Sequence, residues 1–217
     1  MKNKKITFLM MMVFAVFAIN AQNSAKAKAL LDEVYEKVTG YENIVIDFKY
    51  SLNNPSENVK QDTRGNVTLK EDKYLLNYLG ATVMFDGKKV HTIVPENEEV
   101  TIDAQDTDSE GTITPSKMLT FYKEGYKYEW DILQNVKGRK IQYVKLIPID
   151  TNAELKHILL GIDAQTKHIY KLIQTDTSGT QVTITVNSFK TNQPISKTLF
   201  TFDENKYIDE GYYITRN

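Results

Sequence analysis

Between Gly65 and Asp103 the chain alternates apolar and polar residues at a period of two. Val67 and Leu69 are separated by polar neighbours, Tyr74, Leu76 and Tyr78 share one parity, and Val90, Thr92 and Val94 share another. Successive side chains on a strand point to opposite faces, so this pattern predicts consecutive short strands of an antiparallel meander. Asp86-Gly87 marks a tight turn, because Gly takes the positive φ that a hairpin turn demands. A chain written this way must bury one side of a long, curved, apolar surface. No catalytic motif interrupts it.

The flanking segments extend the pattern. Ile44, Ile46, Phe48, Tyr50 and Leu52 share a face of a strand over Asn43–Leu52, with Val45 the exception. Asn53–Thr63 is polar, contains Pro55 and predicts a loop. Tyr126, Tyr128, Trp130 and Ile132 alternate along a later strand, and Ile141–Ile147 pairs with it across a turn at Lys137-Gly138. Leu155–Asp163, His168–Asp176 and Thr180–Phe189 predict a second meander, and Leu199, Phe200 and Phe202 a last strand.

Two segments read as helices. In Ser24–Thr39, residues Ala27, Leu30, Leu31, Val34, Tyr35 and Val38 recur on one helical face. Asn23 or Ser24 is placed to cap its start and Gly40 to end it. In Pro115–Gly125, Pro115 suits a first turn, and Met118, Leu119 and Tyr122 form one face. Set among strands, this short helix is a candidate lid. The sum is a mainly β chain of about eleven strands and two helices in one domain, with no repeat and no linker.

The ends and the composition narrow the function classes. Met1-Lys2-Asn3-Lys4-Lys5 precedes an apolar run from Ile6 to Ile19 and a small residue at Ala21. A basic start, a short apolar core and a small residue predict a secretory signal peptide over residues 1–21, leaving residues 22–217 as the exported domain. With no cysteine in the sequence, there is no disulfide, no thiolate metal site and no lipid-anchor Cys. A net charge of −1 argues against binding a phosphate backbone. Thirteen Tyr and nine Phe suit a β-rich protein with a roomy apolar interior.

Recognisable chemistry is sparse. His91, His157 and His168 lie on separate predicted strands without metal-ligand spacing, so each reads as an ordinary strand residue. Phosphate-binding glycine loops and the nucleophile elbow are absent. Asp106-Thr-Asp108-Ser-Glu110-Gly111 imitates the first half of a calcium loop, but Lys117 occupies the twelfth position, where a bidentate Glu belongs. The expectation is therefore a solvated acidic loop, no metal, no cofactor and no enzymatic activity.

Taken in order, several short segments resemble the periplasmic outer-membrane lipoprotein carrier family (LolA-like), in the form typical of Bacteroidota. They are the amphipathic helix ahead of the first strand, Gly65-x-Val67-x-Leu69-Lys70, Lys73-Tyr74, Phe85-Asp86-Gly87-Lys88 and Asn97-Glu-Glu-Val100. Pro115-Ser-Lys-Met-Leu-Thr-Phe-Tyr122, Leu146-Ile-Pro148, Thr175–Val186 and Leu199-Phe-Thr-Phe202 complete the set. The resemblance implies an incomplete antiparallel β-barrel with helices covering its concave mouth. It implies a soluble periplasmic carrier that holds the acyl chains of lipoproteins, is loaded by an inner-membrane ABC-type transporter and is unloaded at an outer-membrane acceptor. One departure stands out: Glu71-Asp72 occupies the place where well-known members carry Arg-Pro, whose Arg helps control cargo transfer.

On this basis the candidate lipid-binding cavity comprises Phe48, Tyr50, Leu69, Tyr74, Leu76 and Tyr78, together with Met84, Met118, Tyr122 and Trp130. Leu75 and Leu79, of opposite parity to Tyr74, Leu76 and Tyr78, form a candidate docking patch for a membrane partner. The expected cargo is an acylated lipoprotein and the expected oligomeric state a monomer. A same-fold carrier of another lipid-like molecule, such as a pigment or polyketide precursor, and a lipoprotein-sensing regulatory domain are the rival readings.

Overall fold

The computed structural model describes residues 22–104 and 114–217. The predicted signal peptide and the calcium-like stretch Asp106–Gly111 lie outside the described residues. Helix α1 occupies residues 22–39 and turns its Ala27, Leu30, Leu31, Val34 and Val38 side into the core. Its i and i+3/i+4 spacing makes one apolar stripe, as the sequence predicts. It already runs at residue 22, so Asn23 and Ser24 sit inside the helix and do not cap it.

Among the described residues twelve strands follow in one sheet. In chain order they are β1 (Ile44–Asn54), β2 (Val59–Lys70), β3 (Lys73–Tyr78), β4 (Ala81–Phe85), β5 (Lys89–Val94) and β6 (Glu99–Ala104). Then come β7 (Tyr126–Val136), β8 (Arg139–Pro148), β9 (Leu155–Asp163), β10 (Ile169–Asp176), β11 (Gln181–Thr191) and β12 (Tyr213–Arg216). The spatial order is β12-β6-β5-β4-β3-β2-β1-β11-β10-β9-β8-β7. All neighbours are antiparallel except β12, which runs parallel to β6. The two predicted meanders are thus joined by β1 pairing with β11. Strands β12 and β7 end the series without meeting, so the sheet is open.

The sheet must curl. One apolar cluster unites α1 with Leu69 of β2, Tyr74 of β3, Val144 of β8 and Leu160 of β9. Flat strands about 4.8 Å apart would spread β3 to β8 over nearly 30 Å, far wider than a helix about 10 Å across. Bulges in the ladders at Asp47/Phe48 and Trp130/Leu133 bend and twist the strands locally. At the second, the buried Gln142 Nε2 donates to the Asp131 carbonyl at 2.7 Å.

The opposite face carries a smaller cluster of Ile93, Val100 and Ile102, covered by Phe202, Tyr207, Tyr212 and Ile214 from the C-terminal segment. Helix α2 (Glu204–Asp209) belongs to that segment, and the Asp203 side chain caps it by accepting from Lys206 N–H. His91 is buried on this face, 2.8 Å from Asp86 and stacked on Phe202 at 4.2 Å between ring centres.

Several predicted elements are corrected. Asn53–Thr63 is the far end of the β1–β2 hairpin and not a loop; its turn is Pro55–Asn58. Lys60, Asp62 and Arg64 stand in solvent there, so no apolar alternation marks the strand. Pro115–Gly125 is not an α-helix but two short 3-10 turns, Lys117–Leu119 and Phe121–Lys123, parted by Thr120 at φ −135°. Leu199–Phe202 forms no strand; Phe202 packs against the sheet and the last strand is β12. Leu79 is not the end of β3: it stands at φ 51° beside Gly80 at φ 78°, in a two-residue turn of the kind hairpins favour. The bulge also takes Ile132 out of the alternation of Tyr126, Tyr128 and Trp130 and leaves it exposed.

A polar clasp fixes the β8–β9–β10 corner. The buried Asp163 carboxylate accepts from Gln165 N–H at 2.9 Å, Thr166 N–H at 3.0 Å and Arg139 Nε at 2.8 Å. Burial pushes its pKa up, but the Thr166 and Gln165 amides and the Arg139 guanidinium outweigh it and hold the pKa below the ordinary 3.8. A depressed carboxylate stabilises the fold above its unfolded pKa, and that contribution is lost as pH falls through the folded value. Asp163→Asn should therefore cost about 2 kcal/mol near neutral pH. Denaturant melts of both proteins should show the gap narrowing below pH about 4; a gap independent of pH would contradict the clasp.

Candidate functional site

The site is built from strand register. Cross-strand pairing sets Phe189, Ile46, Val67 and Leu76 in one row across β11, β1, β2 and β3. A second row runs Leu172, Ile184 and Tyr50 across β10, β11 and β1. Paired residues share a face, and these rows face the inside of the curl. Between them Phe48 pairs with Gly65. A Cβ at Gly65 would lie 2.5 Å from Phe48 Cζ and 2.7 Å from the Asn77 carbonyl, so only glycine lets the Phe48 ring lie across β2 here.

These rows line a cavity of about 200 Å³ that is partly open to solvent. Its walls are Ile46, Phe48, Tyr50, Val67, Leu69, Leu76 and Tyr78 on one side and Ile169, Leu172, Ile184, Val186 and Phe189 on the other. Pro115, Met118 and Leu119 of the 3-10 segment close it. Every lining side chain is apolar except for the hydroxyls of Tyr50 and Tyr78. Those two rings meet edge to face, 5.1 Å between centres. Burial, and then the Tyr50 hydroxyl beside it, pushes the Tyr78 hydroxyl well above its ordinary pKa, so it stays a neutral hydrogen-bonding group.

Six of the ten residues named from sequence come together here: Phe48, Tyr50, Leu69, Leu76, Tyr78 and Met118. The other four lie elsewhere. Tyr74 is packed in the core against Phe85, 5.9 Å between ring centres. Tyr122 is fully buried in the same core, its hydroxyl without a partner among the described residues, and its carbonyl accepts from Tyr128. Met84 pairs with Leu75 and His91 and so faces away from the cavity. Trp130 is on β7 at the edge of the sheet, 36% exposed.

Leu75 is half-buried on the outer face, whereas Leu79 is 50% exposed at the β3–β4 turn. Sequence reasoning missed the whole β10–β11 wall. Its alternation is visible, but nothing in the sequence says that it faces β1. Among the described residues no group of three His, Cys, Asp or Glu side chains could hold a metal ion. His168 instead bonds Tyr41 at 2.9 Å and stacks on Phe189; burial, then nearby Lys37, lowers its pKa.

Comparison with solved structures shows this fold in one and weaker similarity in two others. An uncharacterized conserved protein from Thermus thermophilus superposes with a TM-score of 0.56 at 10% identity, over 88% of this chain and 99% of that one. A LolA superfamily protein from Nitrosomonas europaea gives 0.44 at 12% identity, over 82% and 98%. The lipoprotein LppX from Mycobacterium tuberculosis gives 0.49 at 12% identity, over 78% and 98%. No match to a curated protein sequence was found. The family model described as outer membrane lipoprotein carrier protein LolA matches residues 39–203, the span that holds every wall of the cavity. That match, over most of its length, makes the chain a member of the LolA family of outer membrane lipoprotein carrier proteins.

Proposed function

We propose that this protein is a periplasmic carrier that takes the acyl chains of lipoproteins into its cavity and ferries them from the inner to the outer membrane. The observation that carries this reading is the cavity itself, concave, lined by apolar side chains and partly covered by a short segment rather than by the sheet. Moving a lipoprotein with about 40 methylenes out of a membrane, at about 0.8 kcal/mol each, costs tens of kcal/mol unless an equivalent apolar surface receives it. That surface must be hidden when empty, since bare apolar patches invite aggregation. An inner-membrane ABC-type transporter would load the carrier and an outer-membrane acceptor would unload it, with Leu75 and the exposed Leu79 as the docking residues. The predicted signal peptide supports export. Among the described residues no helix is long and apolar enough to cross a membrane.

A cavity of about 150 Å³ holds one benzene, so the present 200 Å³ takes only part of one chain. Loading therefore requires the cover to move. Met118 suits a surface that must adapt to flexible chains, because its thioether is unbranched and polarizable. The exposed Lys123, which reaches Asp32 of α1 at 3.3 Å and stands over the Tyr35 ring, is a weak tether that can part.

Three outcomes are expected. Leu76→Glu puts a charge among the acyl chains and should abolish binding of a fluorescent fatty acid, whereas Leu75→Glu, on the outer face, should retain it within about threefold. Thermal melts serve as the folding control, and the reverse pattern would refute the assignment of faces. Hydrogen exchange over residues 115–124 should be faster than in the strands and should slow on adding palmitate; equal protection in both states would count against a moving cover. Cells depleted of the protein should retain lipoproteins in the inner membrane, and normal sorting would sink the carrier role.

A further inference from the structure

The cavity has a polar neighbour. The β2–β3 ladder stops at Asn66 and Asn77, although β2 begins seven residues earlier, at Val59. This leaves a notch between the start of β2 and the β3–β4 turn. An open depression of about 790 Å³ lies there, and Phe48 and Tyr78 line both it and the apolar cavity. Their rings, 6.3 Å apart between centres, are a shared border between an apolar chamber and a wet one.

The depression is rich in uncharged hydrogen-bonding groups. Asn66, Asn77, Asn187 and Thr82 line it, and Asp47 and Arg64 contribute one charge of each sign. Asn77 is already oriented: its Nδ2 donates to Asn66 Oδ1 at 2.9 Å, and its Oδ1 accepts from Thr82 Oγ1 at 2.8 Å. Asn187 sits at the bulge that parts the β1–β11 register between Asp47 and Phe48 and is exposed. Glycine at position 65 keeps a side chain out of the junction, where a Cβ would meet Phe48 and the Asn77 carbonyl.

We infer that this notch binds the polar head of the carried amphiphile, and that the head it fits is an uncharged, amide-rich one, such as the glyceryl-linked start of a lipoprotein's peptide. The inference rests on the carrier reading and adds to it a second subsite and a head-group preference. Amides offer both donors and acceptors, which match a peptide backbone. An anionic phosphate head needs an excess of positive charge or bidentate arginines, and a single Arg64 offset by Asp47 does not supply it. Chains in the cavity and head in the notch would place the attached protein outside the sheet, beside the exposed β3–β4 turn, where its size costs nothing.

Displacement of a fluorescent fatty acid from the purified chain tests this with three competitors: palmitic acid, a synthetic dipalmitoylglyceryl-cysteinyl peptide of uncharged residues with its N-terminus acetylated and its C-terminus amidated, and dipalmitoyl phosphatidylglycerol. The last two carry the same chains and differ in the head. The wild type should bind the lipopeptide about tenfold more tightly than the phospholipid, from two or so extra hydrogen bonds. Asn77→Ala and Asn187→Ala should each weaken the lipopeptide roughly fivefold and leave palmitate unchanged. Because Asn187 is exposed, its variant stays informative if Asn77→Ala loses stability. Unchanged lipopeptide affinity in both variants overturns the inference, as does phospholipid binding equal to or tighter than lipopeptide binding. So does an equal loss of palmitate, which would make the residues part of the cavity's framework. If palmitate fails to bind the wild type at all, the carrier reading falls first and the head site with it.

Discussion

Strand β1 hydrogen-bonds to β2 on one side and to β11 on the other, and the curled sheet exists because of that double pairing. The partners come from opposite ends of the domain. At the start of β1, the buried Asn43 side chain donates to the Gln193 carbonyl and accepts from the Gln193 N–H, 150 positions away in sequence, both at 2.9 Å. Closing so long a loop has an entropic cost that grows only slowly with length. It is offset by a ladder of about ten residue pairs and by the apolar rows that the ladder aligns. Without β1–β11 pairing there are two separate meanders, and neither alone completes the apolar cluster that surrounds α1.

Helix α1 and the 3-10 segment fill most of the curl, and they fill it unevenly. Toward β8 and β9 the helix shares one apolar cluster with Val144, Leu146, Ile158 and Leu160, which are wholly buried. Over β1, β2, β10 and β11, among the described residues, Pro115, Met118 and Leu119 reach across, and space remains beneath them. Close-packed interiors leave few voids larger than a water. A lined, apolar hollow beneath a segment of short 3-10 turns departs from that packing and has the concave, apolar character of ligand pockets in general. Family membership and the geometry of the cavity point in the same direction, and neither depends on the other.

The outer face is managed differently. Its apolar residues on β5 and β6 are covered by the C-terminal segment, which adds α2 and the parallel strand β12. Asp86 ties this region together, accepting from Lys88 and Lys89 N–H and pairing with His91, whose ring stacks on Phe202. Burial pushes the Asp86 pKa up, but the Lys89 amide, His91 and the Lys88 amide outweigh it and leave it low. The covered face frees the concave side from any need to stabilise the sheet edge.

What the sequence by itself determined was local. Alternation at period two located most of the strands, though not the far end of the β1–β2 hairpin or β12, and helical spacing located α1. Glycine at turns placed the Asp86-Gly87 and Lys137-Gly138 corners, because each of these signals is a property of neighbouring residues. On β1, β2 and β3 the sequence also named the cavity wall, since Phe48, Leu69 and Leu76 share the parity that the sheet turns inward. Tertiary structure decided the rest. Tyr74 and Tyr122 have the same residue type and spacing as true lining residues, but α1 and its surroundings pack on them, and packing is not written in their parity. Met84 lies on the wrong face because its register is inherited from Leu75 across the hairpin. Ile184, Val186 and Phe189 became cavity wall only because β11 came to lie beside β1. That long-range pairing depends on the whole sheet and leaves no mark on any single stretch of sequence.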